Sequence, residues 1–546
     1  MLAITAVAAA PGVAHAAEAP NAAAPASAPD GGGLDTIVVT AQKRTENLQD
    51  VPIAVAVFGG DALLESGVTD AMQLQTVVPS LTYAATGNTA QPYLRGIGTR
   101  VASIGLEPSI ATYIDDRYVP RPFAAIFDML DIERVEVLKG PQGTLYGRNA
   151  AGGAIRAITR DPRERSVAIA GRAGDYDDRR LEITAGGPLS GSWRGQVTGA
   201  LEQRGGFAAN LVPNGRATAD DVDRRAFRGK LLWDVGETVA AKLTVSWWED
   251  GGWRGRDLVA AGLPQANRGV ALFGGVTSHE RDRFASALAD DNRLTEAAAD
   301  LRFDVSLRNL DFVSITTYTK TDLDQTLDVD ASSVPLLDLV AREPSDTWSQ
   351  ELHLLSRETG GLTWLAGAFL YSQDASNVYV FRDTLSAQPA FPVGTDVSNG
   401  VQEARTDAYA LFAQASRTFA EHWTATLGGR WSRERKSATL APAPNAVTNA
   451  PTPYAEARHW DELTPHVSLE YRRDFGLAYL SYSRGFKSGG YNYPASLNPV
   501  LNPETVDSYE LGVKAQLAHD RLRVNSALFF YDFRDLQVTR GGVGAF

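Results

Sequence analysis

The 546-residue chain contains no cysteine and only three methionines. Without thiols it has neither a disulfide framework nor a thiolate metal site. Its seven histidines, at 15, 279, 353, 422, 459, 466 and 519, form no HxxxH or HxH pair, so they give no sign of a metal-binding helix. No G-x-S-x-G or H-E-x-x-H sequence is present, so no motif points to a nucleophile with its base and orienting acid, and any Ser/His/Asp grouping is read as accidental. No catalytic residue, metal ligand or cofactor is therefore assigned. Net charge is -13, which disfavours nucleic acid as a partner because phosphate neutralisation needs a cationic surface. Beyond Val13 no apolar run reaches the ~18 residues of a helical membrane span. A chain of this composition that crosses a membrane does so as a closed sheet.

What is abundant is glycine (50 residues) and aromatic side chains (20 Phe, 18 Tyr, 10 Trp), a composition that suits a turn-rich β protein. Residues 1–16 are mostly small and apolar and end in Ala14-His15-Ala16, an A-x-A cleavage pattern that reads as a signal peptide. The cationic residues that should precede its apolar core are missing, so the natural start is expected elsewhere; the other reading is a disordered alanine-rich tail. Residues 17–34 form an Ala/Pro/Gly linker with too little apolar surface to fold. Then comes Asp35-Thr36-Ile37-Val38-Val39-Thr40-Ala41, with four β-branched residues in a row. Such a strand can add its backbone to the sheet edge of another protein, or it is simply the first strand of the next domain.

The stretch RVEVLKGPQGTLYGRNAAGGAIRAITRDP, Arg134 to Pro162, sets glycines at 140, 143, 147, 152 and 153 between two short apolar strands, Val135–Leu138 and Ala154–Thr159. A phosphate loop needs Lys and Ser/Thr after its second glycine; here Gly152 is followed by Gly153 and Ala154. The glycines instead suit positive φ and close chain approach in a tightly turned hairpin unit. The stretch resembles the end of the plug domain in TonB-dependent outer-membrane receptors. That resemblance implies a 22-stranded transmembrane antiparallel β-barrel holding an N-terminal α+β plug in its lumen, and it makes residues 35–41 resemble a TonB box, with Asp35, Thr36, Ile37, Val38, Val39 and Thr40 as the TonB-interacting residues. It implies as partners TonB with its ExbB-ExbD energising complex, outer-membrane lipid and an extracellular ligand. So little sequence precedes the box that uptake, and not transcriptional signalling, is the implied role.

The plug is expected over 48–162, with a strand at Val51–Val57, a helix starting at Gly60 and capped by Asp61, a second helix over Val68–Leu74, and central strands at Tyr93–Gly98 and Ser109–Asp115. Arg95, charged in an apolar strand, is expected to form an ion pair at the plug-to-barrel interface; Arg95, Gly96, Gly140, Gly143, Gly147, Gly152 and Gly153 are assigned structural roles. Asp116 stands where the family commonly has glycine, and can hold a left-handed turn.

After residue 162 the pattern has period two. Trp423, Ala425, Leu427, Gly429 and Trp431 alternate with Thr424, Thr426 and Arg430; Leu243, Val245 and Trp247 alternate with Lys242, Thr244 and Ser246. Short links at 234–238, 308–309, 358–361, 420–421, 473–476 and 518–520 alternate with long polar ones near 250–295, 321–346, 376–401, 436–460 and 488–505. Short turns at one end and long loops at the other characterise an outer-membrane barrel. Ser349-Gln350-Glu351-Leu352, Gly485 to Asn492 and Tyr509 to Lys514 also resemble that family's barrel. Between Ser166 and Phe546 some 15 or 16 strand-like segments are found, fewer than 22, so the barrel over 163–546 is expected to be incomplete at its C-terminus.

The resemblance makes active uptake of a scarce solute across the bacterial outer membrane the expected function. Ferric siderophore is the first choice of cargo, and an oligosaccharide, vitamin or other organic compound the alternative; a passive porin or an adhesin would need neither box nor plug, and an outer-membrane enzyme would need a nucleophile with its base and orienting acid. Tyr83, Gln91, Arg100, Arg117, Tyr118 and Arg121 are the candidate ligand contacts, since aromatic and cationic groups suit a bulky anionic chelate. Each equally suits packing against the barrel lumen.

Overall fold

A computed structural model describes residues 2–8, 36–86, 89–99, 103–125, 127–213, 215–253, 275–278, 280, 282–287, 291–328, 333–334, 337–383, 395–442, 453–474, 476–492, 500–519 and 521–537. Two bodies are nested. The inner one is a five-stranded sheet in the order Ala54–Gly59, Ile132–Lys139, Gly153–Thr159, Ile110–Ile114, Arg117–Val119. Ile132–Lys139 and Gly153–Thr159 form the expected antiparallel pair, and Gly153–Thr159 runs parallel to Ile110–Ile114. Val135, Val137, Leu138, Ile155, Ala157 and Ile110 are fully buried, each of the larger ones contributing ~1.5–3 kcal/mol of transfer free energy.

Several local expectations change. The first strand is Ala54–Gly59, and the following helix, Gly60–Glu65, is capped by Gly59 without a side-chain bond. Asp61 sits in the first turn and pairs with Arg160 at 2.5 Å. The second helix is a 3₁₀ segment, Ala71–Thr76, begun by a capping box in which Asp70 and Gln73 satisfy each other's backbone. Tyr93–Gly98 is not a strand of the central sheet. It is split by a turn at Arg95-Gly96 into members of a separate three-stranded sheet. Arg95 itself is left-handed, with φ 52°. At the other turn the left-handed residue is Asp115 (φ 54°), not Asp116; Asp115 is held there by accepting from Thr159 N at 2.8 Å and Thr159 Oγ1 at 2.7 Å.

The outer body is an antiparallel sheet of fifteen strands between Ser166 and Arg534, each paired with its sequence neighbour. Alternation decides which face is which. Leu427, Leu463 and Leu528 are 66%, 59% and 74% exposed, whereas Thr426, Arg430 and Thr464 are buried, Arg430 beside Gly147 and Thr464 beside Gly143 of the plug. A soluble sandwich would reverse that polarity. Trp193 and Trp233 stack at 4.9 Å beside the short turns, and Tyr409 meets Trp431 at 5.6 Å nearer the long loops, as aromatic girdles do. No helix among the described residues is long and apolar enough to cross a membrane.

The strands rise farther than the hydropathy suggested: Leu310–Asp328, Leu337–Ser356, Leu362–Asp383, Thr395–Phe419 and Trp423–Pro442 extend into stretches assigned to loops. Their upper outward residues, such as Asp346, Asp374 and Arg405, are polar, because that part of the sheet stands in water and loses the apolar alternation. Leu2–Ala8, within the expected signal peptide, lies antiparallel to Ser166–Gly174 as the outermost strand on that edge of the sheet. Residues 9–35, which include the linker and Asp35, lie outside the described residues. The sheet's last strand is Leu522–Arg534, and among the described residues the ladder does not close.

Candidate functional site

Val38–Val39 is not an unpaired strand. It pairs antiparallel with Glu46–Asn47, and Leu48 N donates to Ile37 O at 2.8 Å. Val39 is fully buried while Val38 is 43% exposed, and Thr36 is exposed too. The segment is fastened at Thr40. Its N–H donates to Glu136 Oε1 at 2.9 Å, and Arg156 Nη1 donates to Thr40 O at 2.9 Å and Oγ1 at 2.6 Å. Glu136 and Arg156 face each other across the central strand pair and form an ion pair at 2.9 Å, with Arg134 Nε also 2.9 Å from Glu136. Beyond Thr40, Lys43 pairs with Glu351 at 3.1 Å, and Arg44 donates to Ser356 O and Trp364 O at 2.9 and 2.6 Å. The candidate box is thus tied first to the plug's central strands and then to the barrel.

The glycine turn closes the far end of the same strands. A Cβ on Gly153, at φ +143°, would stand 2.2 Å from Leu138 O, and one on Gly143 would stand 2.4 Å from Arg484 O. Side chains there would drive the turn into its partner strand or off the barrel wall.

Among the candidate ligand contacts, Arg117 pairs with Glu296 at 2.7 Å and Asp300 at 3.5 Å on the barrel. Arg121 pairs with Glu343 at 2.8 Å, while its Nε and Nη1, both buried, have no hydrogen-bond partner among the described residues. Tyr118 OH accepts from Asn149 at 2.9 Å, and its ring meets Tyr371 edge-on at 6.2 Å. Gln91 is buried with Oε1 unbonded among the described residues; Tyr83 is half-buried, its N–H donating to Gln75. Arg100 lies outside the described residues. Arg117, Tyr118 and Arg121 therefore pack against the lumen in this structure.

Arg95 meets Glu510 at 2.7 Å and Tyr531 OH at 2.9 Å, the expected plug-to-barrel ion pair. Sequence reasoning missed the wider set. Arg148 bridges plug Glu107 (2.7 Å) and barrel Glu434 (2.9 Å). Burial alone would push the Glu107 carboxyl up, but the Arg148 and Lys436 cations hold it below its ordinary range. Asp70 pairs with Arg224 at 2.6 Å, Asp128 with Arg180 at 3.0 Å and Asp161 with Lys230 at 2.9 Å. For the Glu136–Arg156 pair the available signal was a charge inside an apolar strand, Val135-Glu136-Val137 and Ile155-Arg156-Ala157; the acids at 70, 107, 128 and 161 stand outside the strands and carry no such signal.

The chain matches two family models: the TonB-dependent receptor plug domain over residues 47–154 and the TonB dependent receptor-like β-barrel over residues 248–546, more than half of the chain. It is 28% identical over 219 residues to the pesticin receptor of Yersinia pestis, a match covering 38% of this chain and 32% of that protein's length. With the probable TonB-dependent receptor BfrD of Bordetella pertussis it shares 23% identity over 545 residues, covering 89% of this chain and 69% of the other. The crystal structure of the ferric yersiniabactin uptake receptor FyuA from Yersinia pestis superposes with a TM-score of 0.76 at 18% identity, covering 89% of this chain and 73% of that one. With a plug inside an outward-apolar sheet, and with family models matched on both parts, the chain belongs to the TonB-dependent receptors of the outer membrane.

Proposed function

We propose that the protein takes up a scarce solute across the outer membrane, with a ferric siderophore as cargo, and that TonB, energised by ExbB-ExbD, drives it by pulling on Thr36–Thr40, with Asp35 as part of the same box. One observation carries this reading: the exposed-edged Val38–Val39 strand is fastened through Thr40 to Glu136 and Arg156, on the two strands that carry the glycine turn. Load on the box is thereby delivered to the pair of strands that leads to the plug–barrel junction.

No residue performs covalent chemistry in this scheme. The ligand is held above the plug by loops and by plug residues including Arg121, whose Nε and Nη1, without a hydrogen-bond partner among the described residues, suit an anionic chelate. Tyr118, Gln91, Tyr83, Arg100 and Arg117 complete the proposed contacts, Arg117 only after release from Glu296. The cargo is supported by what similar proteins are said to carry: ferric yersiniabactin for one and alcaligin for another. Growth of a deletion strain on a panel of ferric chelates, glycans and vitamins tests it. Loss of growth on one ferric chelate is expected. A mutant indistinguishable from wild type on every iron source would refute the siderophore cargo.

A further inference from the structure

The run Gly485-Phe486-Lys487-Ser488-Gly489-Gly490-Tyr491 ends the strand Gly476–Lys487 and turns back into the lumen over the plug. Two of its glycines lie where barrel backbone touches plug backbone. A Cβ on Gly485 would stand 2.7 Å from Ala150 O, and one on Gly490 would stand 2.2 Å from Gly105 O. Phe486, Lys487 and Ser488 between them are buried. A run that is glycine where two chains meet and buried elsewhere is shaped by contact with the plug, not by solvent.

Two plug segments hold the run. Tyr491 N donates to Gly105 O at 3.1 Å, and Ser488 N donates to Asn149 Oδ1 at 3.0 Å. Asn149 stands in the left-handed region at φ 60°, its amide nitrogen donating to Glu107 and, at 2.9 Å, to Tyr118 OH. Beyond these contacts Gly490–Tyr491 pairs antiparallel with Val500–Leu501, just before the strand Glu504–Leu517. Gln537 Nε2 ties the two arms of this strap by donating to Ser488 O at 3.0 Å and Asn502 O at 2.8 Å. The Tyr491 ring is fully buried in one apolar cluster with Ile104 of the plug and with Ala341, Ala375, Ala438 and Leu440 of three barrel strands. Its hydroxyl donates to Lys436 O at 3.2 Å.

We propose that this strap is an inward-folded cover that the plug itself holds shut. With the plug seated, Gly105 and Asn149 keep Tyr491 across the lumen, and loss of either contact frees the strap to turn outward. The base of the strap adjoins candidate ligand contacts. Tyr118 shares Asn149 with Ser488, and Arg148, whose Nη2 donates to Ser488 Oγ at 3.3 Å, holds its guanidinium 4.5 Å over the Tyr371 ring. A solute that takes the Tyr118 hydroxyl from Asn149 therefore disturbs the residue that keeps the cover closed, a consequence that rests on the uptake reading. Coupling of this kind is reciprocal, so freeing the strap also loosens the plug segment around Gly105.

The test needs neither solute nor TonB, so failure of the uptake reading would leave its rates as they are. The chain has no cysteine, so single-cysteine variants of the full chain in lipid vesicles report one site each. Ala438→Cys lies in the cluster around the Tyr491 ring, where the native side chain is 1% exposed. Ala200→Cys, natively 5% exposed, lies in the plug's own apolar cluster, on the strand Trp193–Arg204. Asn149→Ala is expected to raise the rate at which a polar maleimide labels Ala438→Cys at least tenfold and to leave the rate at Ala200→Cys unchanged. An unchanged rate at 438 overturns the proposal, and so does an equal rise at 200, which marks a plug loosened as a whole. If Asn149→Ala does not assemble, Gly490→Ala drives the strap off Gly105 from the barrel side and is read the same way. In the other direction, Tyr491→Ala should speed amide exchange in plug residues 103–107 and leave Ile132–Lys139 as it is. No change at 103–107 likewise overturns the proposal.

Discussion

Arg156 and Thr40 touch twice, Nη1 lying 2.6 Å from the hydroxyl oxygen and 2.9 Å from the carbonyl oxygen. Because Arg156 also neutralises the fully buried Glu136, its loss acts on both the plug and the candidate box. Arg156→Ala is expected to cost ~3–5 kcal/mol, the cost of breaking a buried pair, and to expose residues 36–44 to protease without ligand. Limited proteolysis followed by mass mapping checks this; unchanged cleavage there would show that Thr40 is held by other contacts.

Arg95 and Glu510 join plug to barrel with side chains only 7% exposed. Arg95→Ala strands the carboxylate and is expected to lower stability by ~3–5 kcal/mol, whereas Arg95→Met combined with Glu510→Leu should recover most of the loss. Equilibrium unfolding in detergent, read as a double-mutant cycle, distinguishes a coupled pair from two independent losses.

Gly153 adopts φ +143° with Leu138 O where a Cβ would go. Gly153→Ala is expected to lose at least ~1–3 kcal/mol from backbone strain alone, and more from the overlap. Gly59→Ala, with nothing within 4 Å of the added carbon, is expected to be nearly neutral. Thermal unfolding of the two variants side by side checks the contrast.

Asp131, in the turn before the central strand pair, is buried and pushed up to about 6 by that burial, against the relief given by Arg228, Lys230 and Arg160. Its folded value exceeds the unfolded one. The stability it contributes is therefore fully present at low pH and is lost as pH rises through about 6. Asp131→Asn, which keeps an acceptor for the Gln196 amide, should raise the melting temperature at pH 7.5 and change it little at pH 4. A shift of equal size at both values would contradict the assignment.

Much of this architecture was legible beforehand. The hairpin around the glycine turn, a count of some 15 or 16 strands where fifteen stand, and the outward apolar face all follow from local pattern, since period two and glycine spacing are written residue by residue. The ion pair of Arg95 was legible because a cation in an apolar run needs a partner, although that partner, Glu510, lies 415 residues away. The pairing of Val38–Val39 with Glu46–Asn47 was not, because only the first half has a strand pattern and its partner Glu46–Asn47 has none. Nor were the upper strands, where the sheet leaves lipid for water and the alternation that marks it disappears. The plug acids that meet Arg180, Arg224 and Lys230 were invisible for a different reason: which charge meets which is set by how two bodies nest, not by either sequence stretch.

The claim that the box drives transport is tested most directly by deleting Ile37–Thr40 and measuring surface binding and energised uptake of a radiolabelled ferric chelate that supports growth of the wild type. The account predicts that uptake falls to background while binding to whole cells is retained. Uptake at the wild-type rate in the deletion variant would contradict it.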